Sequence, residues 1–215
     1  MSRGTSYTVA AEALASRDPV IAGLVTAAGP MRVRKSNDSH FAALARDIVY
    51  QQLAGKAASA IHGRLIAALD GKVEPEALLA LPLEDMRAAG LSANKTASLR
   101  DLAEKVLEGT VVLDPRRLGR ESDEEVIARL TTVRGIGEWT AHMFLMFQLR
   151  RLDVWPTGDF GVRKGYGLAW GIPMPSAREL GPLGEPLRPY RSVAAWYCWR
   201  ACEVYAGAAG SAVTG

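Results

Sequence analysis

The sequence predicts a bi-lobed, all-α fold. Three observations favour this class. Apolar residues recur at helical spacing through most of the chain, and no internal repeat or low-complexity segment interrupts them. A hairpin of two helices around Gly-Ile-Gly is readable at residues 123–147. A length of 215 residues with 48% hydrophobic and 23% charged residues is ordinary for a globular protein that buries a core.

The elements follow in chain order. The first 35 residues are ambiguous: 5–9 and 31–35 could form short strands, and 11–15 and 19–27 could be helical. Strong apolar periodicity then predicts helices at 41–53, 57–69, 93–107 and 192–205. Shorter helices are predicted at 75–81, 83–89 and 161–170. Gly109 closes one helix, and 171–189 is rich in Pro and Gly, which indicates irregular chain.

These elements group into two lobes of a single domain spanning residues 1–215. The first lobe covers 36–150 and contains the hairpin. The second joins 1–35 to 151–205, and residues 206–215 are expected to fray. We expect the functional site in the cleft between the lobes.

The hairpin has the chemistry of a phosphate-binding device. Ser122 and Glu125 form a capping box, so a helix begins directly after them. Gly135 and Gly137 then break the helical pattern, and two glycines permit positive φ and a close approach of the backbone to a ligand. The alternative is a plain corner between two helices with no ligand.

The second helix of the hairpin begins at about Glu138 and carries Trp139, Met143 and Phe147 on one face. Its first amides have no partner within the helix and lie at the positive end of the helix dipole. They can therefore bind a phosphate oxygen.

Charge supports an anionic partner only through its distribution. The net charge is a modest +3, but residues 150–200 hold eight basic residues against four acids. Such an excess suits a phosphate-binding face, although a solvated charged surface would look the same.

Other site chemistries find little support. Cys198 and Cys202 lie four apart on a predicted helix, where they are poor disulfide partners, and we expect them to be reduced. His40, His62 and His142 lack metal-ligand spacing. No apolar run is long enough to span a membrane, and the N-terminus is too polar for a signal peptide, so we expect a cytoplasmic protein.

Four segments together resemble the helix–hairpin–helix (HhH-GPD) DNA glycosylase superfamily over residues 35–205, and within it the 3-methyladenine DNA glycosylase II branch. These are IVYQQLAGKAA, the hairpin VRGIGEWTA, the loop DVWPTGDFGVRKGY and the C-terminal RPYRSVAAWYCWR. The resemblance implies a monofunctional enzyme of base excision repair. It would flip an alkylated purine, above all 3-methyladenine, out of duplex DNA and hydrolyse its glycosidic bond.

The resemblance places the catalytic aspartate at Asp159. A carboxylate near the anomeric carbon stabilises the oxocarbenium-like transition state and can orient the attacking water. Asp159 also reads as a helix N-cap, and the two roles are compatible because a cap fixes the side chain. Asp153 is a weaker candidate that we expect to pair with Arg150 or Arg151.

Trp139 occupies the position at which bifunctional relatives carry a catalytic lysine. An indole cannot form a Schiff base, but it can stack on an electron-poor alkylated base. Packing in a core is the alternative for Trp139 and for the other candidate pocket residues, which are Tyr50, Phe41, His142, Met143 and Trp199. Met143 departs from the aromatic residue that is frequent in this branch, which affects the substrate range.

The resemblance makes Leu53 a wedge that fills the gap left by the flipped nucleotide, next to Gln52, which could touch the opposite strand. A core leucine is the alternative. The further DNA-binding candidates are Arg134, Gly135, Gly137, Thr140, Arg163, Lys164 and Arg191.

The expected partner is double-stranded DNA containing a damaged base, bound by a monomer, and in a bacterium the protein would associate with the nucleoid. Two cysteines cannot ligate the iron–sulfur cluster of some relatives, and no redox cofactor or side-chain metal site is expected. The resemblance allows a structural Na⁺ or K⁺ at the hairpin carbonyls of residues 132–133 and 134–136. The alternatives are a glycosylase for another damaged base and a non-enzymatic DNA-binding module.

Overall fold

The computed structural model describes residues 6–33 and 36–211, with side chains described as far as residue 206. Within these residues every regular element is helical, which confirms the all-α class. The α-helices in chain order are α1 (Tyr7–Ala15), α2 (Pro19–Ala28), α3 (His40–Tyr50), α4 (Gly55–Ala68), α5 (Pro75–Ala80), α6 (Leu83–Ala88), α7 (Ala93–Leu107), α8 (Pro115–Leu118), α9 (Asp123–Leu130), α10 (Glu138–Met143), α11 (Phe160–Trp170), α12 (Ala177–Leu183) and α13 (Arg191–Ser211).

Side-chain caps fix many of the helix starts. Ser and Asp residues accept hydrogen bonds from otherwise unpaired first-turn amides, and each such bond stabilises a helix by roughly 1 kcal/mol. This arrangement is present at Ser6, Asp18, Ser39, Ser92, Asp114, Ser122, Asp159 and Ser176.

The chain divides into two compact units, Met1–Arg34 with Leu149–Gly215 and Lys35–Gln148. In the first unit α13 packs on α11 and α2, and the buried Tyr197 hydroxyl donates to the carbonyl of Gly29 over 3.2 Å. In the second unit α3 packs on α4 and α7, and α10 continues as one π-helical turn, Phe144–Gln148, with buried side chains. The single-domain assignment and the cleft site stay predictions.

Several predicted elements differ from the observed ones. The segments 6–9 and 31–33 are not strands, and α1 and α2 supply helices instead; Thr5, Arg34 and Lys35 lie outside the described residues. The predicted irregular segment 171–189 contains α12, which starts at a Ser176–Glu179 capping box. Helix α13 continues to Ser211, beyond the predicted end at residue 205, and residues 212–215 lie outside the described residues, so the expected fraying stays a prediction.

Candidate active site

The two hairpin glycines differ in backbone conformation and in the space around them. Gly135 has φ of +77°, and a Cβ there would lie 2.5 Å from the Ser98 hydroxyl, so both backbone conformation and close packing require glycine. Gly137 has φ of −93°, an ordinary extended value, and open space where a Cβ would be. Gly137 precedes α10 without a side-chain cap, which leaves the first amides of α10 for another acceptor. Of the two hairpin glycines, only Gly135 has the positive φ that the sequence allowed, and the close approach of a ligand at Gly137 stays a prediction.

Side chains fasten the hairpin from two directions. Lys105 donates to the Thr132 carbonyl over 2.7 Å and to both carboxylate oxygens of Asp101. Asp101 in turn accepts the amide of Arg134 over 2.7 Å. Burial by itself would raise the pKa of Asp101, but the hydrogen bonds from Lys105 and Arg134 outweigh it and hold that pKa below its usual value. The hairpin is thus held by a charged brace, Lys105–Asp101, within its own unit.

A pocket of about 530 Å³ opens between the end of α3 and α10. Its volume suits a small organic ligand. The wall residues are Asp47, Tyr50, Gln51, Gln52, Trp139, Thr140, Met143 and Phe147. Trp139 is 51% exposed and Tyr50 36%, so neither ring belongs to the core. Two large, accessible aromatic faces in one pocket form a stacking surface for a planar ring.

Sequence analysis did not name three of the wall residues as site residues: Asp47, Gln51 and Phe147. Asp47 is the only acid among them. It occupies a position within the apolar period of α3, and its own helix gives no sign that it faces a pocket. Burial raises the pKa of this carboxyl from 3.8 to about 6, although Arg46 acts in the opposite direction. The Arg46 guanidinium lies 3.7 Å from one Asp47 oxygen but 2.6 Å from Asp38.

Asp159 caps α11 in the other unit, as predicted. Its Oδ1 accepts the amide of Val162 over 2.7 Å and the indole N–H of Trp199 over 2.8 Å, and the residue is only 8% exposed. Gly161 allows this arrangement, because a Cβ at that position would lie 2.7 Å from the Trp199 ring. Two donors therefore fix the orientation of this carboxylate.

Helices α11 and α13 approach each other closely behind this carboxylate. A Cβ at Gly165 would lie 1.7 Å from the backbone carbonyl oxygen of Cys198, which no side chain could accommodate. Cys198 is buried and Cys202 half-buried, and both are free thiols, as predicted. Cys202 donates to the carbonyl of Gly161.

The comparisons with known proteins agree with this geometry. Residues 45–181 match the family described as HhH-GPD superfamily base excision DNA repair protein. The chain is 36% identical over 205 residues to DNA-3-methyladenine glycosylase 1 of Schizosaccharomyces pombe, and the match covers 93% of this chain and 90% of that protein. The chain belongs to the HhH-GPD superfamily.

Solved structures of this superfamily share the fold. A DNA-3-methyladenine glycosidase from Bacillus halodurans has a TM-score of 0.82 at 34% identity, covering 92% of this chain and 91% of that one. The Schizosaccharomyces pombe 3-methyladenine DNA glycosylase Mag1, solved in complex with abasic DNA, has a TM-score of 0.78 at 35% identity, covering 89% and 95%. The predicted superfamily and branch are confirmed.

The loop after α3 carries the candidate wedge of this HhH-GPD chain. Helix α3 ends at Tyr50, three residues earlier than predicted, and Gln52 adopts a left-handed conformation with φ of 56°. Leu53 is 37% exposed, which excludes a core role in the described structure. Lys95 holds the loop by donating to the carbonyls of Val49 and Gln51, over 2.5 and 2.8 Å.

Three of the predicted pocket residues do not line this pocket. Phe41 is 5% exposed and belongs to the core of its unit. His142 is half-buried beside Glu138, 3.8 Å away, and burial lowers its pKa, which favours the neutral imidazole. Trp199 lies in the other unit, where it holds Asp159. Tyr50, Trp139 and Met143 are in the pocket wall, as predicted.

The predicted DNA-contact residues divide into exposed and internally bonded groups. Arg134 and Lys164 are exposed. Thr140 is 4% exposed and lies 3.3 Å from the Gln51 amide nitrogen, so it supports the pocket wall from inside. Arg163 donates to the Pro175 carbonyl over 2.8 Å.

Arg191 is also engaged within its own unit. It binds Asp153, with 2.9 Å between Nε and Oδ1, and its side chain is only 15% exposed. Asp153 also pairs with Arg188 over 2.7 Å, so the expected partners Arg150 and Arg151 are corrected. Part of the basic excess at 150–200 is thus neutralised locally.

Three of the hairpin carbonyls at which a monovalent cation was expected already accept hydrogen bonds within the protein. The carbonyl of Thr132 accepts from Lys105, that of Val133 from the Ile136 amide over 3.0 Å, and that of Gly135 from Gln51 over 2.9 Å. The described residues contain no group of three or more His, Cys, Asp or Glu side chains placed to hold a metal ion. No helix in the described ranges is long and apolar enough to cross a membrane.

Proposed function

We propose that this chain is a monofunctional DNA glycosylase of base excision repair, which hydrolyses the N-glycosidic bond of alkylated purines, 3-methyladenine above all. The observation that carries the proposal is the pocket beside the hairpin, with an accessible indole, Trp139, where a lyase would need an amine. Support comes from the similar proteins, which are named 3-methyladenine DNA glycosylases.

The pocket takes the flipped base. An alkylated purine carries positive charge on an electron-poor ring, which stacks on the electron-rich faces of Trp139 and Tyr50. Such a base is a good leaving group that departs as a neutral molecule. Little proton transfer to the base is therefore needed.

The sugar is assigned to Asp159. As the C1′–N bond breaks, its electron pair leaves with the base and positive charge develops on the deoxyribose. The Asp159 carboxylate stabilises that charge, and it orients the water whose oxygen bonds to C1′ and whose proton is released. The donors Val162 and Trp199 hold the carboxylate in one orientation before the reaction begins.

The protein contacts DNA in two places: at the phosphate backbone, and in the gap that the flipped nucleotide leaves in the base stack. The first amides of α10, after Gly137, donate hydrogen bonds to a phosphate oxygen, and the polar hollow of about 380 Å³ beside Arg134 takes the neighbouring backbone. Leu53, exposed on the loop after α3, fills the space of the flipped nucleotide, with Gln52 next to it. The enzyme works as a monomer on chromosomal DNA in the cytoplasm, associated with the nucleoid if the organism is a bacterium.

No redox cofactor takes part in this chemistry. The Lys105–Asp101 brace and Gln51 hold the hairpin, and a Na⁺ or K⁺ ion at residues 132–136 would share oxygens that these groups already use.

The deciding experiment is an excision assay on methylated duplex DNA. The wild-type chain should release free 3-methyladenine and leave the strand intact until alkali or heat cleaves the abasic site. Asp159→Asn keeps a good N-cap and should lose on the order of 10²-fold or more in rate.

Asp18→Asn is the matched control, because Asp18 also caps a helix and also accepts an indole N–H, from Trp170 over 3.3 Å. It should excise at the wild-type rate. Strand nicking by the enzyme would identify a lyase, and binding without any base release would leave only a DNA-binding module.

A further inference from the structure

One carboxylate in the pocket wall has no part in the chemistry proposed above. Asp47 lies on α3 one turn before the wedge loop and shares the wall with Tyr50, Trp139 and Met143. The reacting sugar is assigned to Asp159, so hydrolysis does not need a second acid. A carboxylate in a mainly apolar wall is costly to desolvate unless a cation compensates it.

The protein itself compensates Asp47 only in part. Arg46 on the same helix is nearer to Asp38 than to Asp47, with N–O distances of 2.6 and 3.7 Å. Lys95 on α7 directs its ammonium to the carbonyls of Val49 and Gln51.

The neighbouring acid–base groups do not supply the missing charge. Burial lowers the pKa of His62 on α4, whose ring packs edge-on against Tyr50, and also that of His142 on α10. Both imidazoles are therefore neutral near pH 7. Asp38 takes the closer contact with Arg46, and Glu138 brings no positive charge, so the carboxylate of Asp47 is balanced only in part.

We propose that Asp47 is the specificity-determining residue of the pocket, where its carboxylate selects bases that carry a positive charge from alkylation of a ring nitrogen. The inference rests on the function proposed above and names the property by which the pocket selects its base, which is positive charge. A cationic purine stacked against Trp139 brings the charge that the wall lacks. A neutral purine has to bury the ionised carboxylate without compensation.

The movement of positive charge during the reaction determines whether Asp47 affects KM or kcat. In the transition state positive charge leaves the base and appears on the sugar, so Asp47 interacts more strongly with the bound substrate than with the transition state. Interactions of that kind improve binding and do not raise the chemical rate. Loss of the carboxylate should therefore raise KM for a cationic base and leave kcat unchanged or slightly higher.

The binding test uses the Asp159→Asn variant, whose excision should be slower by on the order of 10²-fold or more, with and without Asp47→Asn. Affinity is measured at pH 7.5 for duplexes carrying 7-methylguanine (cationic), hypoxanthine (neutral) or an abasic analogue. Asp47→Asn should weaken binding of the cationic duplex by on the order of tenfold, and should leave the other two unchanged or tighter.

Two controls sharpen the result. Glu104→Gln on α7 removes an exposed carboxylate of the same unit and should alter no ratio. Repeating the comparison at pH 5.5, where Asp47 of the free protein is mostly protonated, should shrink the effect of Asp47→Asn on the cationic duplex, because little charge remains to be lost.

An equal change for all three duplexes would make Asp47 a structural residue and overturn the inference. A second result would also overturn it: if Asp47→Asn alone, with Asp159 intact, lowered kcat and left KM unchanged, Asp47 would be donating a proton to the leaving base. If the wild-type chain releases no alkylated base at all, the proposed function fails first. If it releases base and the ratios do not move, only the role of Asp47 is lost.

Discussion

Asp47→Asn should make the protein more stable at neutral pH while it weakens substrate selection. Burial raises the pKa of Asp47 from 3.8 to about 6. The folded state therefore binds this proton more tightly than the unfolded state does, and stability is lost as pH rises through about 6. At about 1.4 kcal/mol per pKa unit, the ionised carboxylate lowers the free energy of unfolding by at most about 3 kcal/mol at pH 7.5.

Solvent reduces that figure, because the Asp47 side chain is 29% exposed. We expect Asp47→Asn to gain about 1–2 kcal/mol at pH 7.5, or roughly 2–8 °C in Tm for a chain of this size. At pH 4.5, between the two pKa values, about a third of the gain should remain.

Urea unfolding followed by circular dichroism at the two pH values measures both numbers, with Glu104→Gln as the control for the loss of one negative charge. A variant that is less stable than the wild type at pH 7.5, or whose gain is the same at both pH values, would refute the reasoning, because neither result follows from a buried carboxylate.

The remaining predictions concern the DNA grip, the wedge and the catalytic carboxylate. Gly137→Val should keep the melting temperature and weaken binding to damaged and undamaged duplex alike, whereas Gly135→Val should destabilise the fold, as thermal melts and binding titrations will show. Leu53→Ala should change the free energy of unfolding by less than about 1 kcal/mol, whereas truncation of a core leucine costs about 2–5 kcal/mol. The same variant should bind an abasic duplex more weakly. A large fall in melting temperature with unchanged affinity would show that Leu53 is a core residue. Trp199→Phe removes one donor to Asp159 and should slow single-turnover excision about 10–100-fold, with unchanged DNA affinity; an unchanged rate would show that the Val162 amide alone suffices.

Local signals made much of the helical structure readable from the sequence. The Ser122–Glu125 capping box gave the start of α9, and apolar periodicity located α7 to the residue. The same capping box is present at Ser176 and Glu179, but the Pro and Gly content of 171–189 predicted irregular chain there, so α12 was not predicted. The early end of α3 was not readable, because Gln52 turns left-handed although glutamine has no preference for that conformation.

Long-range pairing limited the site prediction. Arg191 looked like a DNA contact because its partner, Asp153, is 38 residues away in sequence. Asp47 was not predicted as a site residue, because it lies among apolar residues at helical spacing on α3. Only the position of α10 makes it part of a pocket wall. Asp159 was found through the resemblance and through its cap position, both of which are local features.

The close contact between Gly165 and the Cys198 carbonyl fixes the distance between helices α11 and α13. Asp159 lies six residues before Gly165, and Trp199 directly follows Cys198, so the separation of the two helices sets how far the indole reaches toward the carboxylate. A single methyl group at residue 165 would push the helices apart and misalign a pair it never touches. A mutational scan that scores repair in cells should therefore mark Gly165 as intolerant as Asp159, and only a structural or stability measurement would tell the two kinds of loss apart.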